Sequence, residues 1–275
     1  MCRLFGFRSI LQSGVHSSLT HAENALGVQA QKHPDGWGVA YYVAGTPHVI
    51  KSSSAAYQDR LFQRVSGVVT SDTVIAHVRR ATVGELNILN CHPFQHGRWV
   101  FAHNGTVAGF SEIRAELLAR IGPGLSRYVL GDTDSEVVFH LFLSLIARQD
   151  NLHRPGLPIQ TVADAMRGAT AIVREAAVRH GLPDPSLTLL ASDGTILVAA
   201  RLGRELHRSI RKHRCPERDT CPSFQSACET LSPDRFVSHF IVSSEPLQGE
   251  NIWEPVAEEQ VIGCDQRMRA HAWPA

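Results

Sequence analysis

Short runs in which apolar side chains alternate with small ones, or stand together, predict strands at residues 3–8, 36–43, 48–50, 72–78 and 98–103. Ala44-Gly45-Thr46-Pro47 reads as the turn of a hairpin between the second and third of these. Residues 187–191 and 195–200 flank Ser192-Asp193-Gly194, and Asp-Gly between two apolar runs predicts another hairpin. Elsewhere the spacing becomes helical. Ser111 is placed to cap a helix through about Arg120, with Ile113, Leu117 and Ile121 on one side. Thr133-Asp134-Ser135-Glu136 reads as a capping box. The helix behind it, carrying Val137, Val138, Phe139, Leu141, Phe142, Leu145 and Ile146, is apolar on most sides, which predicts deep burial. A third helix spans about 159–180 and stops before Gly181, with Pro183 just beyond. Strands, then helices, then strands again is not the regular alternation of a doubly wound sheet. It predicts an α+β fold of mainly antiparallel sheets with helices on their outer faces. No domain boundary is visible, so one domain over residues 2–275 is expected. Residues 203–235, basic at first and then bearing Pro and Cys, read as a surface excursion.

Composition narrows the function. With 275 residues, 43% of them hydrophobic, the chain can bury a sizeable core. Lys and Arg number 27 against 26 Asp and Glu, a formal net charge of +1. That balance gives no electrostatic ground for nucleic acid or an anionic membrane as partner. No apolar run approaches the ~20 residues of a membrane span, and residues 1–8 lack the apolar segment of a signal peptide. Six cysteines, at 2, 91, 215, 221, 228 and 264, are too sparse for a disulfide scaffold. A reducing, cytoplasmic setting is expected. Cys215, Cys221 and Cys228 are separated by five and six residues, unlike the close pairs of a zinc knuckle, so an ordinary loop without metal is expected. No phosphate-binding loop, dinucleotide fingerprint, zinc-protease helix or serine elbow is present. No cofactor is expected.

Four places could carry chemistry. Removal of Met1 would leave a thiol and a free α-amine on Cys2. With ordinary pKa values of ~8.5 for the thiol and ~7.7–8.0 for the amine, the amine can take the thiol proton near neutrality. Residue 2 would then be nucleophile and base at once. Arg79 and Arg80 follow an apolar strand, where a guanidinium serves either a carboxylate clamp or a surface ion pair. Thr82 is either a turn residue or a ligand donor. His103-Asn104-Gly105 ends another strand. Its Asn side chain and Gly backbone N–H could form an oxyanion hole, and the same residues also suit a tight turn. Asp134, in the first turn of its helix, is stabilised there by the helix dipole and could also hold an ammonium.

Together Cys2-Arg3-Leu4-Phe5-Gly6, His33-Pro34-Asp35-Gly36-Trp37-Gly38, Ala76-His77-Val78-Arg79-Arg80-Ala81-Thr82, Cys91-His92-Pro93-Phe94, His103-Asn104-Gly105 and Asp132-Thr133-Asp134-Ser135-Glu136 occur in the order of one family. They resemble the class II, N-terminal nucleophile glutamine amidotransferases in their small stand-alone form. That subgroup includes γ-glutamyl hydrolases of ergothioneine and glutathione metabolism. Weaker similarity continues through Ser243-Ser244-Glu245-Pro246. The resemblance implies a four-layer αββα sandwich and cleavage of glutamine or another γ-glutamyl amide through a Cys2 thioester. It makes Cys2 the nucleophile and gives the oxyanion hole to Asn104 and Gly105. It places Arg79, Thr82, His103 and Asp134 at the substrate, with Arg79 on its α-carboxylate and Asp134 on its α-ammonium. Relatives of the glucosamine-6-phosphate synthase type carry Trp at the position of Arg80 and His at that of Val83, so no side-chain role transfers there. Those relatives also have a synthase domain, for which the expected fold leaves no residues here. Hydrolysis of a small-molecule γ-glutamyl substrate is the leading expectation. The competing ones are a glutaminase subunit feeding ammonia to a separate synthase partner and a non-catalytic glutamine-binding regulator.

Overall fold

The computed structural model describes residues 2–14, 17–21 and 24–274, so Met1 lies outside the described residues. In chain order the strands are β1 (Arg3–Gly14), β2 (Trp37–Val43), β3 (Thr46–Ser52), β4 (Thr70–Val78), β5 (Phe94–His96), β6 (Trp99–Thr106) and β7 (Ser186–Ser192). They continue with β8 (Leu197–Arg201), β9 (His207–Ser209), β10 (His239–Ser243), β11 (Glu254–Pro255), β12 (Gln260–Cys264) and β13 (Ala270–Pro274). The α-helices are α1 (Leu26–Gln29), α2 (Arg60–Val68), α3 (Phe110–Arg120), α4 (Pro123–Ser126), α5 (Asp134–Ala147) and α6 (Ile159–Arg179). One sheet runs β11-β9-β10-β1-β4-β2-β3 and the other β13-β12-β8-β7-β6-β5. Neighbouring strands in both are antiparallel.

Side-chain alternation explains the layering, because successive residues of a strand face opposite sides of its sheet. Leu4 of β1 faces inward and packs with Ala40, Ile75, Val100, Ala102 and Leu190 from both sheets. Its neighbours Phe5 and Phe7 face outward, among Leu26, Phe62 and Val65 of α1 and α2. In the second sheet Phe101 of β6 faces outward and stacks on Phe139 of α5 at 5.1 Å between ring centroids. Val162 and Met166 of α6 join the same outer core. Each fully buried aromatic of this kind is worth roughly 1.5–3 kcal/mol of transfer free energy. Helices cover both outer faces, which yields the four layers expected, αββα. Gly6 lets the sheets approach closely. A Cβ there would lie 2.8 Å from methyl groups of both Leu190 and Val242.

Three local expectations change. Helix α3 begins at Phe110 with Gly109 as its cap (φ +68°) and no side-chain capping bond. Ser111 therefore lies inside the first turn rather than capping it. At α5, Thr133 caps as expected, its hydroxyl accepting from Glu136 N at 3.3 Å. Glu136 does not close the box on the cap residue, however. Its carboxylate accepts from Leu130 N at 3.0 Å and Gly131 N at 2.6 Å, because the bent approach offers two amides there. Strands β7 and β8 pair Ser192 with Leu197, so four residues span the hairpin rather than a bare Asp-Gly turn. Asp193 Oδ1 organises it by accepting from the amides of Thr195 and Ile196. Within residues 203–235, β9 adds to the sheet beside β10, and Leu206 and Ile210 are buried.

Candidate active site

The alternation that builds the core also aims the candidate nucleophile. Cys2 shares its face with Leu4 and Gly6, and Asn104 shares its face with Val100 and Ala102, so both side chains point between the sheets. The Cys2 thiol is held by one backbone unit. Its Sγ accepts from Arg80 N and donates to Arg80 O, each at 3.3 Å. The segment His33–Gly38 fixes that unit in turn. Arg79 N donates to Gly36 O at 2.8 Å, Asp35 N to Arg79 O at 3.1 Å, and Ala81 N to the Asp35 carboxylate at 2.8 Å. The peptide gripping the thiol is therefore clamped on both sides.

Cys2, Arg79, Thr82, His103, Gly105 and Asp134 line one cleft of about 20 Å³. Arg79 is buried, 3% exposed, and no carboxylate touches it among the described residues. Its guanidinium donates to the carbonyls of Glu85 (3.1 Å), Val83 (3.1 Å) and Gly84 (3.4 Å). Those dipoles satisfy N–H groups but leave the positive charge unneutralised, a strong attractor for an anion. Asp134 supplies the opposite sign at the start of α5. Its Oδ2 accepts from Val107 N at 2.8 Å, and its Oδ1 from Ser135 N at 2.7 Å. Thr82 is exposed at the rim and accepts from the Thr106 hydroxyl at 3.0 Å. Gly105 tolerates no side chain, since a Cβ would stand 1.8 Å from Ser186 O.

Two expected ligand groups are engaged differently. The Asn104 amide donates weakly to Ser244 Oγ at 3.4 Å, while its Oδ1 is buried without a partner. It lines a neighbouring cavity of about 280 Å³ rather than the small cleft. His103 has both ring nitrogens bound within the protein, Nδ1 to Ser135 Oγ (2.8 Å) and Nε2 to Ser186 O (2.9 Å). It borders the cleft without a nitrogen free for a ligand. Sequence reasoning missed the Arg80 peptide, Ser135, Ser244 and His92. All four lie inside segments of the family pattern, but no role was read for any of them there.

Burial dominates the electrostatics. It pushes the Cys2 thiol up, against the lowering effects of the Arg80 backbone and the Arg79 charge, and Asp134 adds to the rise. The ring of His92, 4.2 Å from that of His77 between centroids, has neither nitrogen bonded. Burial holds His92 well below its ordinary range and His77 at about 3. Both imidazoles are neutral near pH 7 and supply no cation to pair with a thiolate. Cys215, Cys221 and Cys228 lie elsewhere, lining a cavity of about 420 Å³ with Lys212, His239 and Glu250. All three thiols are free.

The four-layer sandwich, with Cys2 at the head of an inner strand beside Arg79 and Asp134, is an N-terminal nucleophile type of fold. The family model of class II glutamine amidotransferases matches residues 1–264, and the chain belongs to that family. The gamma-glutamyl-hercynylcysteine sulfoxide hydrolase of Mycobacterium tuberculosis is 34% identical to it over 279 residues, spanning 97% of this chain and 94% of that protein. A Saccharomyces cerevisiae relative is 32% identical over 163 residues, and that match spans 46% of the yeast protein, less than half its length. Among solved structures, a glutamine aminotransferase class-II domain protein from Silicibacter pomeroyi covers 99% of both chains with a TM-score of 0.68 and 22% identity. Glutamine phosphoribosylpyrophosphate amidotransferase of Bacillus subtilis follows the fold with a TM-score of 0.62 at 14% identity, over 99% of this chain and 49% of that one. These two likenesses concern the fold. Among the described residues, no helix is long and apolar enough to cross a membrane.

Proposed function

We propose that the protein hydrolyses γ-glutamyl amides through a thioester on Cys2. One observation carries the reading: the Cys2 thiol shares a cleft with an unneutralised Arg79 and with Asp134, opposite charges set for the zwitterionic head of a glutamyl group. Arg79, assisted by Thr82, takes the α-carboxylate and Asp134 the α-ammonium. That grip sets the γ-carbonyl against sulfur. The free amine of residue 2, exposed once Met1 is removed, accepts the thiol proton, and Sγ bonds to the carbonyl carbon. The Asn104 side-chain amide and the Gly105 N–H receive the oxyanion, for which Asn104 must give up its long bond to Ser244. Collapse breaks the C–N bond, the departing amine leaves with the proton, and water resolves the thioester to glutamate and free thiol. His103 acts by positioning, through Ser135 and Ser186. The match over nearly the full length of a γ-glutamyl hydrolase supports hydrolysis over ammonia transfer to a synthase.

The test is glutamate release from glutamine and from γ-glutamyl dipeptides by the wild-type protein and by Cys2→Ala. Turnover by the wild type that disappears in the variant is expected. Equal release by both would overturn the proposal. Activity that appears only with a separate partner protein would favour the ammonia-feeding role.

A further inference from the structure

The cavity beside Asn104 has features that glutamine would not use. It is lined by Arg3, Asn104, Gly203, Arg204, Glu205, Ser244 and Glu245 and encloses about 280 Å³. It adjoins the nucleophile, since Arg3 follows Cys2 and donates to the Cys2 carbonyl at 3.3 Å. Asn104 and Gly105 are consecutive, yet Asn104 lines this cavity and Gly105 lines the cleft of Cys2 and Arg79. A carbonyl held between them has its glutamyl side in the cleft and its nitrogen side in the cavity.

The charges in the cavity are unequally matched. Arg3 is ion-paired with Glu245, but its Nε is buried without a partner. Arg204 is half-buried, its Nε also has no partner, and no carboxylate pairs with it among the described residues. Glu205 is exposed, its charge in water at the rim. Two guanidinium N–H groups are thus left wanting an acceptor, one on a cation with no counter-ion. A lone carboxylate would satisfy them, whereas a polyanion such as a phosphate would also meet Glu205 and Glu245.

We propose that this cavity is the leaving-group subsite and that it recognises a carboxylate on the departing amine through Arg204, with Arg3 Nε assisting. The preferred substrate class is then a γ-glutamyl amino acid or short peptide. Glutamine would leave the subsite empty, because its leaving group is ammonia. This inference rests on the hydrolase reading above.

The experiment measures kcat/KM for γ-glutamyl-alanine and for its C-terminal amide, γ-glutamyl-alaninamide, with the wild-type protein and with Arg204→Gln. The two substrates differ only in the charge read by the subsite. A charge-assisted hydrogen bond predicts about a tenfold or greater preference for the free acid. In Arg204→Gln that ratio should fall toward one, mostly through a rise in KM for the acid. A wild-type ratio near one, or a preference that survives the substitution, would overturn the subsite while leaving hydrolysis intact. Absence of turnover on both substrates and on glutamine would instead overturn the hydrolase reading.

Discussion

In the proposed mechanism the Cys2 thiol, raised by burial and sharing its cleft with a neutral His92, obtains its base from the nitrogen of its own residue. The pH dependence should show this. As the amine loses its proton, kcat/KM should climb through roughly pH 7–8, the ordinary range of an α-amine, with no limb at the ~6.5 of an exposed imidazole. A profile that falls on raising the pH through 7 would contradict an amine base. Asn104→Ala removes one oxyanion donor and should lower kcat by about 10²–10³ while far-UV dichroism stays unchanged. A loss below threefold would exclude Asn104 from that role. At this scale, residues sitting in contiguous motifs were legible, and Cys2, Asn104, Gly105 and Asp134 were all named from short patterns. The hold of the 83–85 carbonyls on Arg79 was not legible, because it depends on the path of a loop. The engagement of both His103 nitrogens was hidden too, since Ser135 and Ser186 are distant in sequence.

The approach to α5 is the element that carries Asp134 into the cleft, and it is held from two sides. Thr133 satisfies one helix amide, whereas the buried carboxylate of Glu136 satisfies two amides of the preceding loop. Thr133→Ala should cost about 1 kcal/mol, the usual loss of an N-cap. Glu136→Ala would strand two amides and should cost more, roughly 2–6 kcal/mol at 1–3 kcal/mol for each unsatisfied group. Urea unfolding of both variants checks the order, and a larger loss in Thr133→Ala would show that the loop amides find other partners. The start of α5 was legible because a cap and an apolar run coincide there. The target of Glu136 was not, because nothing local says the chain bends before the cap. Helix α2 escaped notice although Asp59 caps it by accepting from Leu61 N at 2.8 Å. Only Phe62, Val65 and Ser66 are buried along its nine residues, a weak apolar signal. Strands β10, β12 and β13 are five residues each, too short for alternation to stand out.

The whole molecule stores several histidines in neutral form. Burial lowers His77 to about 3, and His33 and His239 to about 4. In the unfolded chain each titrates near ~6.5. The native state therefore binds fewer protons, so stability is full above about pH 6.5 and is lost as pH falls toward the folded values. The urea midpoint should drop steeply between pH 6.5 and 4, and a flat profile over that window would contradict neutral burial. At this scale the order of elements made antiparallel sheets with outer helices legible, whereas the four layers came only from the resemblance to the family. Strand order was not legible, because β1 sits between β10 and β4, partners separated from each other by most of the chain.

The most direct test of the account is acid quench of the wild-type protein during turnover of γ-glutamyl-alanine, followed by peptide mass spectrometry of its N-terminal fragment. The account predicts one glutamyl acyl group in thioester linkage on Cys2, next to a free α-amine, decaying as glutamate accumulates. Full turnover while the Cys2 thiol stays unmodified, or while residue 2 remains joined to Met1, would contradict it.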